Sequence, residues 1–358
     1  MDRSSFLGAS NTSYVTARVR TKTVSLLPMD ELSRMMDMSV PQILKTLQET
    51  AYKKEIEESA PLFRFSTADV IEHAVNLNLG RTYRSVYGYS RGALKGGISA
   101  YIMYWDVWNL KTLLRGVNGA SRKEEILSDM VFGGSLPESF WVRSFDDREH
   151  VADHFKGTPF QNIMRGSYGK VDLPSIEDDL DRLYYDHLFG HAVHRPSTRS
   201  DRIFLQFVRK EIDIRNLSTA VKIMFLCNKD GNEDMVCTMS RRGFVKNGWA
   251  LNMMRFTELS GCSDMEEVLE KSSGLWYEEM LRGIMDAGAG GSSRYYLGKI
   301  ERSLIDLATG YAVSYPLSIL PVLAFLLRKR SEVENIRIIA RAKSHGFSKD
   351  EIKELSWM

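Results

Sequence analysis

Cysteine is scarce in this chain of 358 residues: Cys227, Cys237 and Cys262 are the whole supply, an odd count with no paired spacing. That argues against a disulfide framework or a Cys-x-x-Cys redox or metal site and suits a reducing compartment. An excess of one charge is missing too. Lys plus Arg number 48 against 46 Asp plus Glu, a net charge of +2, so no global field directs the chain to nucleic acid and any electrostatic function is local. Long apolar runs are absent. The most apolar stretch, Tyr311 to Leu327, is short for a membrane span and contains Pro316 and Pro321, so it reads as a buried helix entered through Pro321 in its first turn. The N-terminus lacks the basic and apolar blocks of a signal peptide, which leaves the cytoplasm as the expected compartment. Alternating β-branched and polar runs closed by Asn-Gly are nearly absent, so strands are not expected. Nor does the chain contain Gly-x-x-x-x-Gly-Lys-Ser/Thr, Gly-x-Ser-x-Gly or His-Glu-x-x-His. No nucleotide, cofactor or catalytic metal is expected on that account.

What is present is a normal globular composition, 43% hydrophobic, with room for two or three domains. Its main feature is a repetition. The pattern acid, aliphatic, any residue, Asn, Leu or Ile occurs at Asp106-Val107-Trp108-Asn109-Leu110, at Asp213-Ile214-Arg215-Asn216-Leu217 and at Glu332-Val333-Glu334-Asn335-Ile336. The acids are 107 residues (106 to 213) and 119 residues (213 to 332) apart, each interval the size of a small domain. A second column runs in register: the glutamates of Ile71-Glu72, Ile176-Glu177 and Ile300-Glu301 precede their asparagines by 37, 39 and 34 residues. A fainter third column is Leu47-Gln48-Glu49-Thr50, Phe155-Lys156-Gly157-Thr158 and Leu269-Glu270-Lys271-Ser272. Three columns in the same order imply one helical unit copied three times, with boundaries near 1–130, 131–236 and 237–358, and each copy burying its apolar face on its neighbours.

The periodicity between the Gly and Pro breaks is helical almost everywhere, so the expected class is all-α. Placed on a helix with the acid at zero, the apolar columns fall at one, four, seven and eight, for example Val107, Leu110, Leu113 and Leu114. They make one burial stripe, and the acid lies inside it. A buried acid is costly unless it accepts hydrogen bonds or meets a cation. Asp106, Asp213 and Glu332 are therefore expected to bond loop amides or a neighbouring helix, with Asn109, Asn216 and Asn335 doing similar work through their amides. Position nine is basic in every copy: Arg115, Lys222 and Arg341. It points about 180° from the acid, so this column is expected to face outward and to contribute a positive surface for partner contact.

Other candidates carry less. His187, His191 and His194 share a helix face, and His150 and His154 form another i, i+4 pair; such spacing can hold zinc. The other copies have no equivalent cluster, and exposed or half-buried histidines are the plainer reading. Gly288 to Ser293 is only loosely like a phosphate loop and reads as a connector. Arg81 to Arg91 mixes Tyr83, Tyr87 and Tyr89 with arginines as single-strand binders do, but occurs once and reads as helix-end packing. One functional reading of such a chain is a helical-repeat binding module for RNA or for another protein.

A more specific alternative comes from several strings that resemble one family closely: Tyr14-Val15-Thr16-Ala17-Arg18-Val19-Arg20; Asn78-Leu79-Gly80-Arg81-Thr82-Tyr83; Trp105 to Gly116; and Lys329 to Lys343. Together they are similar to the C subunit of the archaeal-type (A/V-type) rotary ATP synthase, related to the d subunit of the vacuolar ATPase, over nearly the whole chain. Ala342 stands where that family often has Gly, and Arg195 to Arg199 looks like an insertion. The resemblance implies an all-helical funnel or collar of three pseudo-threefold-related repeats without an active site. It implies a place on the cytoplasmic face of the membrane, peripheral to it, with the membrane rotor-ring subunits and the central-stalk shaft subunits as partners. It further implies that proton or sodium flow turns the ring and that this protein passes the rotation to the stalk.

Overall fold

A computed structural model describes residues 3–62, 66–119, 121–146, 151–166, 172–194, 198–230, 233–288 and 291–356. Among the described residues all regular structure is helical. After α1 (Arg3–Thr23), three short helices, α2 (Met29–Met35), α3 (Val40–Gln48) and α4 (Lys53–Ser59), lead into a long pair, α5 (Thr67–Tyr89) and α6 (Gly92–Asn118), and a short α7 (Lys123–Asp129). The same order returns. Short α8 (Glu138–Asp146), α9 (Val151–His154) and α10 (Gln161–Gly166) precede long α11 (Leu173–Val193) and α12 (Arg199–Asp230), then α13 (Glu233–Gly243). Finally α14 (Met253–Ser260), α15 (Met265–Lys271) and α16 (Glu278–Ala287) precede long α17 (Ser293–Ser314) and α18 (Leu320–Ser344), then α19 (Lys349–Leu355). Each acid–Asn motif lies on the second long helix of its set, and each Ile-Glu column on the first.

Local chemistry starts many of these helices. Ser39 and Gln42 form a capping box at α3, where Pro41 occupies the first turn without losing a needed amide. Ser66, Asn252, Asp264, Ser292 and Ser348 each accept the amide three residues on, opening α5, α14, α15, α17 and α19. Such a cap is worth about 1 kcal/mol, because it satisfies one of the first-turn amides that has no partner inside the helix.

The chain divides into two compact units. The first comprises residues up to Tyr184 together with Arg328–Ser356, and the second Tyr185–Leu327. Both boundaries fall inside long helices, α11 and α18. In the first unit α5 and α6 bury Ile71, Val75, Leu79, Tyr83, Ile98, Trp105 and Leu110, while Trp141, Phe155 and Phe160 build an edge-packed aromatic cluster with Phe140. In the second, Leu217, Val221 and Met224 of α12 pack with Phe256, Leu259, Tyr277, Leu281 and Ile300. Residues Leu320 and Val322–Leu327 at the start of α18 are all buried, and among the described residues no helix is long and apolar enough to cross a membrane. The part of the apolar run that enters α18 through Pro321 is core, as expected, but its first half is not: it ends α17 and leaves Val313 77% and Leu317 72% exposed.

Candidate functional site

The acid–Asn motifs make one recurring contact. Asp106, 1% exposed in the middle of α6, accepts from the backbone amides of Ser135 (2.7 Å) and Leu136 (3.1 Å), just before α8. Asp213 on α12 accepts from Ala250 (2.8 Å) and Leu251 (3.1 Å), just before α14, and from Trp276 Nε1 at 2.7 Å. The asparagine three residues on pairs with a valine backbone through both its amide atoms. Asn109 donates to Val131 C=O and accepts from Val131 N–H, each at 2.9 Å; Asn216 does the same with Val245 at 2.8 and 2.9 Å. The loop is thus stitched to the helix by four hydrogen bonds from two side chains one turn apart. Glycine fits it against the carboxylate: a Cβ on Gly134 would overlap Asp106, and one on Gly248 would overlap Asp213.

Burial shapes the chemistry of these acids. It pushes the Asp106 carboxyl up to about 7, against the pull of the Ser135 and Leu136 amides and of Arg84. Asp213 is raised for the same reason, opposed first by Trp276 and then by loop amides. Desolvation outweighs the hydrogen bonds in both places.

The third motif closes on the beginning of the chain. Glu332, 4% exposed, accepts from the Leu27 amide at 2.6 Å, across 305 residues of sequence, and from the Tyr52 hydroxyl. Leu27 precedes α2 as Leu136 precedes α8 and Leu251 precedes α14. Lys329, one turn earlier on α18, donates to Glu332 (2.8 Å) and to Tyr52 Oη (2.9 Å), with its ammonium 4.1 Å from the Tyr52 ring centroid. Burial lowers the Lys329 ammonium, while Glu332 holds it up. Tyr52, fully buried beside that carboxylate, is raised well above an ordinary phenol.

The basic column also has in-chain partners. Arg115 grips Glu177 on α11 through two bonds of 2.5 Å, with Lys111 on Asp181 (2.6 Å) one turn away. Arg341 grips Glu72 on α5 through two guanidinium nitrogens, one at 2.9 Å, and reaches Asp69 at 3.1 Å. These arginines lie against carboxylates of another long helix rather than pointing freely outward. Lys222 is different: it is exposed and has no ion-pair partner among the described residues, and the second-column glutamate of α17, Glu301, is met instead by Ser218 at 3.3 Å. Periodicity located Arg115, Lys222 and Arg341 correctly on the helix but gave no sign of Glu72 and Glu177 as their targets, although both glutamates stood in the second repeat column. Tyr52, Lys329, Gly134, Gly248 and Trp276 carried no signal of their own.

The remaining candidates from the sequence are occupied otherwise. His187, His191 and His194 are exposed at the end of α11, and among the described residues no group of three His, Cys, Asp or Glu is arranged to hold a metal. His150, residues 195–197 and Ala289-Gly290 lie outside the described residues. Gly288 and Gly291 close around the Tyr295 ring. In the Arg81 to Arg91 stretch, Arg81 pairs with Glu55 and Glu58, Tyr83 packs edge-on against Trp105, and Tyr89 lies under Arg18. Those side chains serve packing. Cys227 and Cys262 are buried thiols, and burial pushes Cys262 up to about 11. A cavity of about 290 Å³ beside Trp108, Arg115, Asp129 and Arg337 mixes both charges.

Buried polar stitches between helix and loop and ion pairs between long helices define a helical scaffold. Residues 15–355 match the family described as ATP synthase (C/AC39) subunit. Relatives over nearly the full length include the A-type ATP synthase C subunit of Methanococcoides burtonii, 31% identical over 96% of this chain and 94% of that one. That of Archaeoglobus fulgidus is 30% identical over 95% and 94%, and that of Haloferax volcanii 29% over 97% of each. The chain belongs to the ATP synthase (C/AC39) subunit family, an accessory component of the enzyme and not a catalytic one.

Proposed function

We propose that this chain is the central-stalk socket of an A/V-type rotary ATP synthase. In this reading the three copies, residues 1–130, 131–236 and 237–358, are related by a pseudo-threefold axis and form a funnel or collar. It sits peripherally on the cytoplasmic side of the cell membrane, rests on the rotor-ring subunits and grips the shaft subunits of the stalk. Proton or sodium transport through the ring then drives ATP synthesis, or the reverse, with the torque passing through this chain.

One observation carries the reading: the last copy fastens to the first. Glu332 reaches Leu27 and Tyr52, and Arg341 reaches Glu72, as Arg115 of the first copy reaches Glu177 of the second. A chain whose end is latched to its beginning suits a part that encircles a shaft. Dense packing and buried hydrogen bonds give such a part the stiffness that torque transfer needs. Of the three basic residues at position nine, Lys222 has the freest charge for a partner; Arg115 and Arg341 would act on partners only through their exposed edges.

The test is a complex assembled without this chain. Under this proposal the head hydrolyses ATP while ion pumping is lost, and mild-detergent purification separates head and stalk from the ring. Coupled pumping in its absence, or a chain that never co-purifies with ring and stalk, sinks the assignment.

A further inference from the structure

The loop between α13 and α14 is held rigidly yet displays apolar side chains to solvent. Val245 is paired on both sides with Asn216, and Ala250 and Leu251 are fixed by Asp213. Arg209 donates to the Gly248 carbonyl from Nε (3.2 Å) and Nη2 (2.9 Å), and its own carbonyl accepts the Trp249 amide at 3.2 Å. Asn247 sits at φ 73°, in the left-handed region that Asn tolerates better than most residues. On this frame Trp249 is 44% exposed with the Arg209 guanidinium 5.0 Å from its ring centroid. Four and five residues further on, in the first turn of α14, Met253 is 36% and Met254 66% exposed.

The latch itself does not need these side chains. Asp106 closes on Gly134-Ser135-Leu136 with no tryptophan or methionine there. Charge is biased as well. From Met235 to Thr257 the chain contains Arg241, Arg242, Lys246 and Arg255 and no Asp or Glu; Lys246 and Arg255 are exposed. The equivalent segment leading into α2 exposes Val24, and α2 opens with the exposed Met29, but Asp30 and Glu31 follow at once.

We infer that Trp249, Met253 and Met254, rimmed by Lys246 and Arg255, form a docking surface for an acidic protein segment that carries apolar side chains. This rests on the rotor reading, within which the segment belongs to another component of the same complex. An aromatic anchor with flexible methionines inside a basic rim matches such a partner in both polarity and charge. The prebuilt loop lowers the ordering cost of binding. A bilayer is the poorer match. The short α14 commits Phe256 and Leu259 to the core, leaving little apolar area to enter lipid, and one face of Trp249 is covered by Arg209.

A photo-crosslinking amino acid at Met254 in the full chain, assembled into the complex, reads the occupant directly. The expected product is a crosslink to one peptide of a ring or shaft subunit, rich in Asp or Glu and containing apolar residues. Crosslinks to lipid, to a second copy of this chain or to no protein in an intact complex overturn the inference while leaving the rotor reading standing. Failure of the chain to enter the complex overturns both. A Trp249→Ala, Met254→Glu pair should release the crosslinked partner about tenfold more readily. Unchanged circular dichroism confirms that the variant folds, and unchanged retention of the partner by a folded variant also overturns the proposal.

Discussion

Arg115 holds Glu177 with two parallel hydrogen bonds of 2.5 Å, from the second long helix of one set to the first long helix of the next. Arg341 holds Glu72 in the same manner, from the last set to the first. The corresponding third joint has Ser218 on Glu301 and a disengaged Lys222. Planar guanidinium matches carboxylate at two points; an ammonium cannot.

Arg115 is 59% exposed, so solvent screening limits what its pair contributes to stability. Arg115→Lys or Glu177→Gln should each cost about 0.5–1 kcal/mol, with coupling in the double mutant. Lys222→Ala should stay within about 0.5 kcal/mol of the parent. Urea denaturation decides; a Lys222→Ala cost equal to that of Arg115→Lys contradicts the difference between the joints.

The pair of buried latches should leave a pH signature. The Asp106 carboxyl moves from 3.8 to about 7 in the folded protein. Between those values the native state holds a proton that the unfolded chain has released. Its contribution to stability is therefore complete below about pH 4 and declines as pH rises through about 7. Asp106→Asn removes that decline, so the stability difference between parent and variant should change steadily from about pH 4 to 8. A parallel pair of curves would show that Asp106 is not raised.

Lys329, Tyr52 and Glu332 form one buried, hydrogen-bonded cluster. Glu332→Ala leaves a buried ammonium without its counter-ion and should cost about 3–5 kcal/mol. Tyr52→Phe should cost less, about 1–2 kcal/mol, because Lys329 and the Leu27 amide still satisfy the carboxylate. Hydrogen exchange at the Leu27 amide should accelerate strongly in Glu332→Ala and only slightly in Tyr52→Phe. Equal exchange in both would remove Glu332 as the acceptor.

Glycines separate into two kinds. Gly134→Ala and Gly248→Ala drive a methyl into a carboxylate and should destabilise by about 1–3 kcal/mol. Gly283, inside α16 with open space around its Cβ direction, should gain about 0.5–1 kcal/mol as alanine. Thermal melts of the three variants in one buffer suffice, and a stabilised Gly134→Ala refutes the close approach.

Helix content and the burial of the segment entered through Pro321 were legible, because apolar periodicity and first-turn residues act over a few positions; the exposure of Val313 and Leu317 just before it was not. So was the need for partners at Asp106 and Asp213, since a carboxylate inside an apolar stripe has to be satisfied. The outward direction of position nine was legible as an angle on an isolated helix. That Arg115 and Arg341 meet glutamates there was not, because the angle does not say which helix lies alongside.

The amino-acid order by itself determined that this protein is helical, that one motif is used three times and that each use buries an acid beside an asparagine. Only the tertiary structure decided that Glu332 closes on Leu27 and Tyr52, that two of three basic residues become ion-pair clamps and that Trp249 stands out from a rigid loop. Side-chain periodicity is set by neighbours three and four residues away. The partner of a buried charge is set by whatever packing brings within about 3 Å, which in this chain lies up to 305 residues distant.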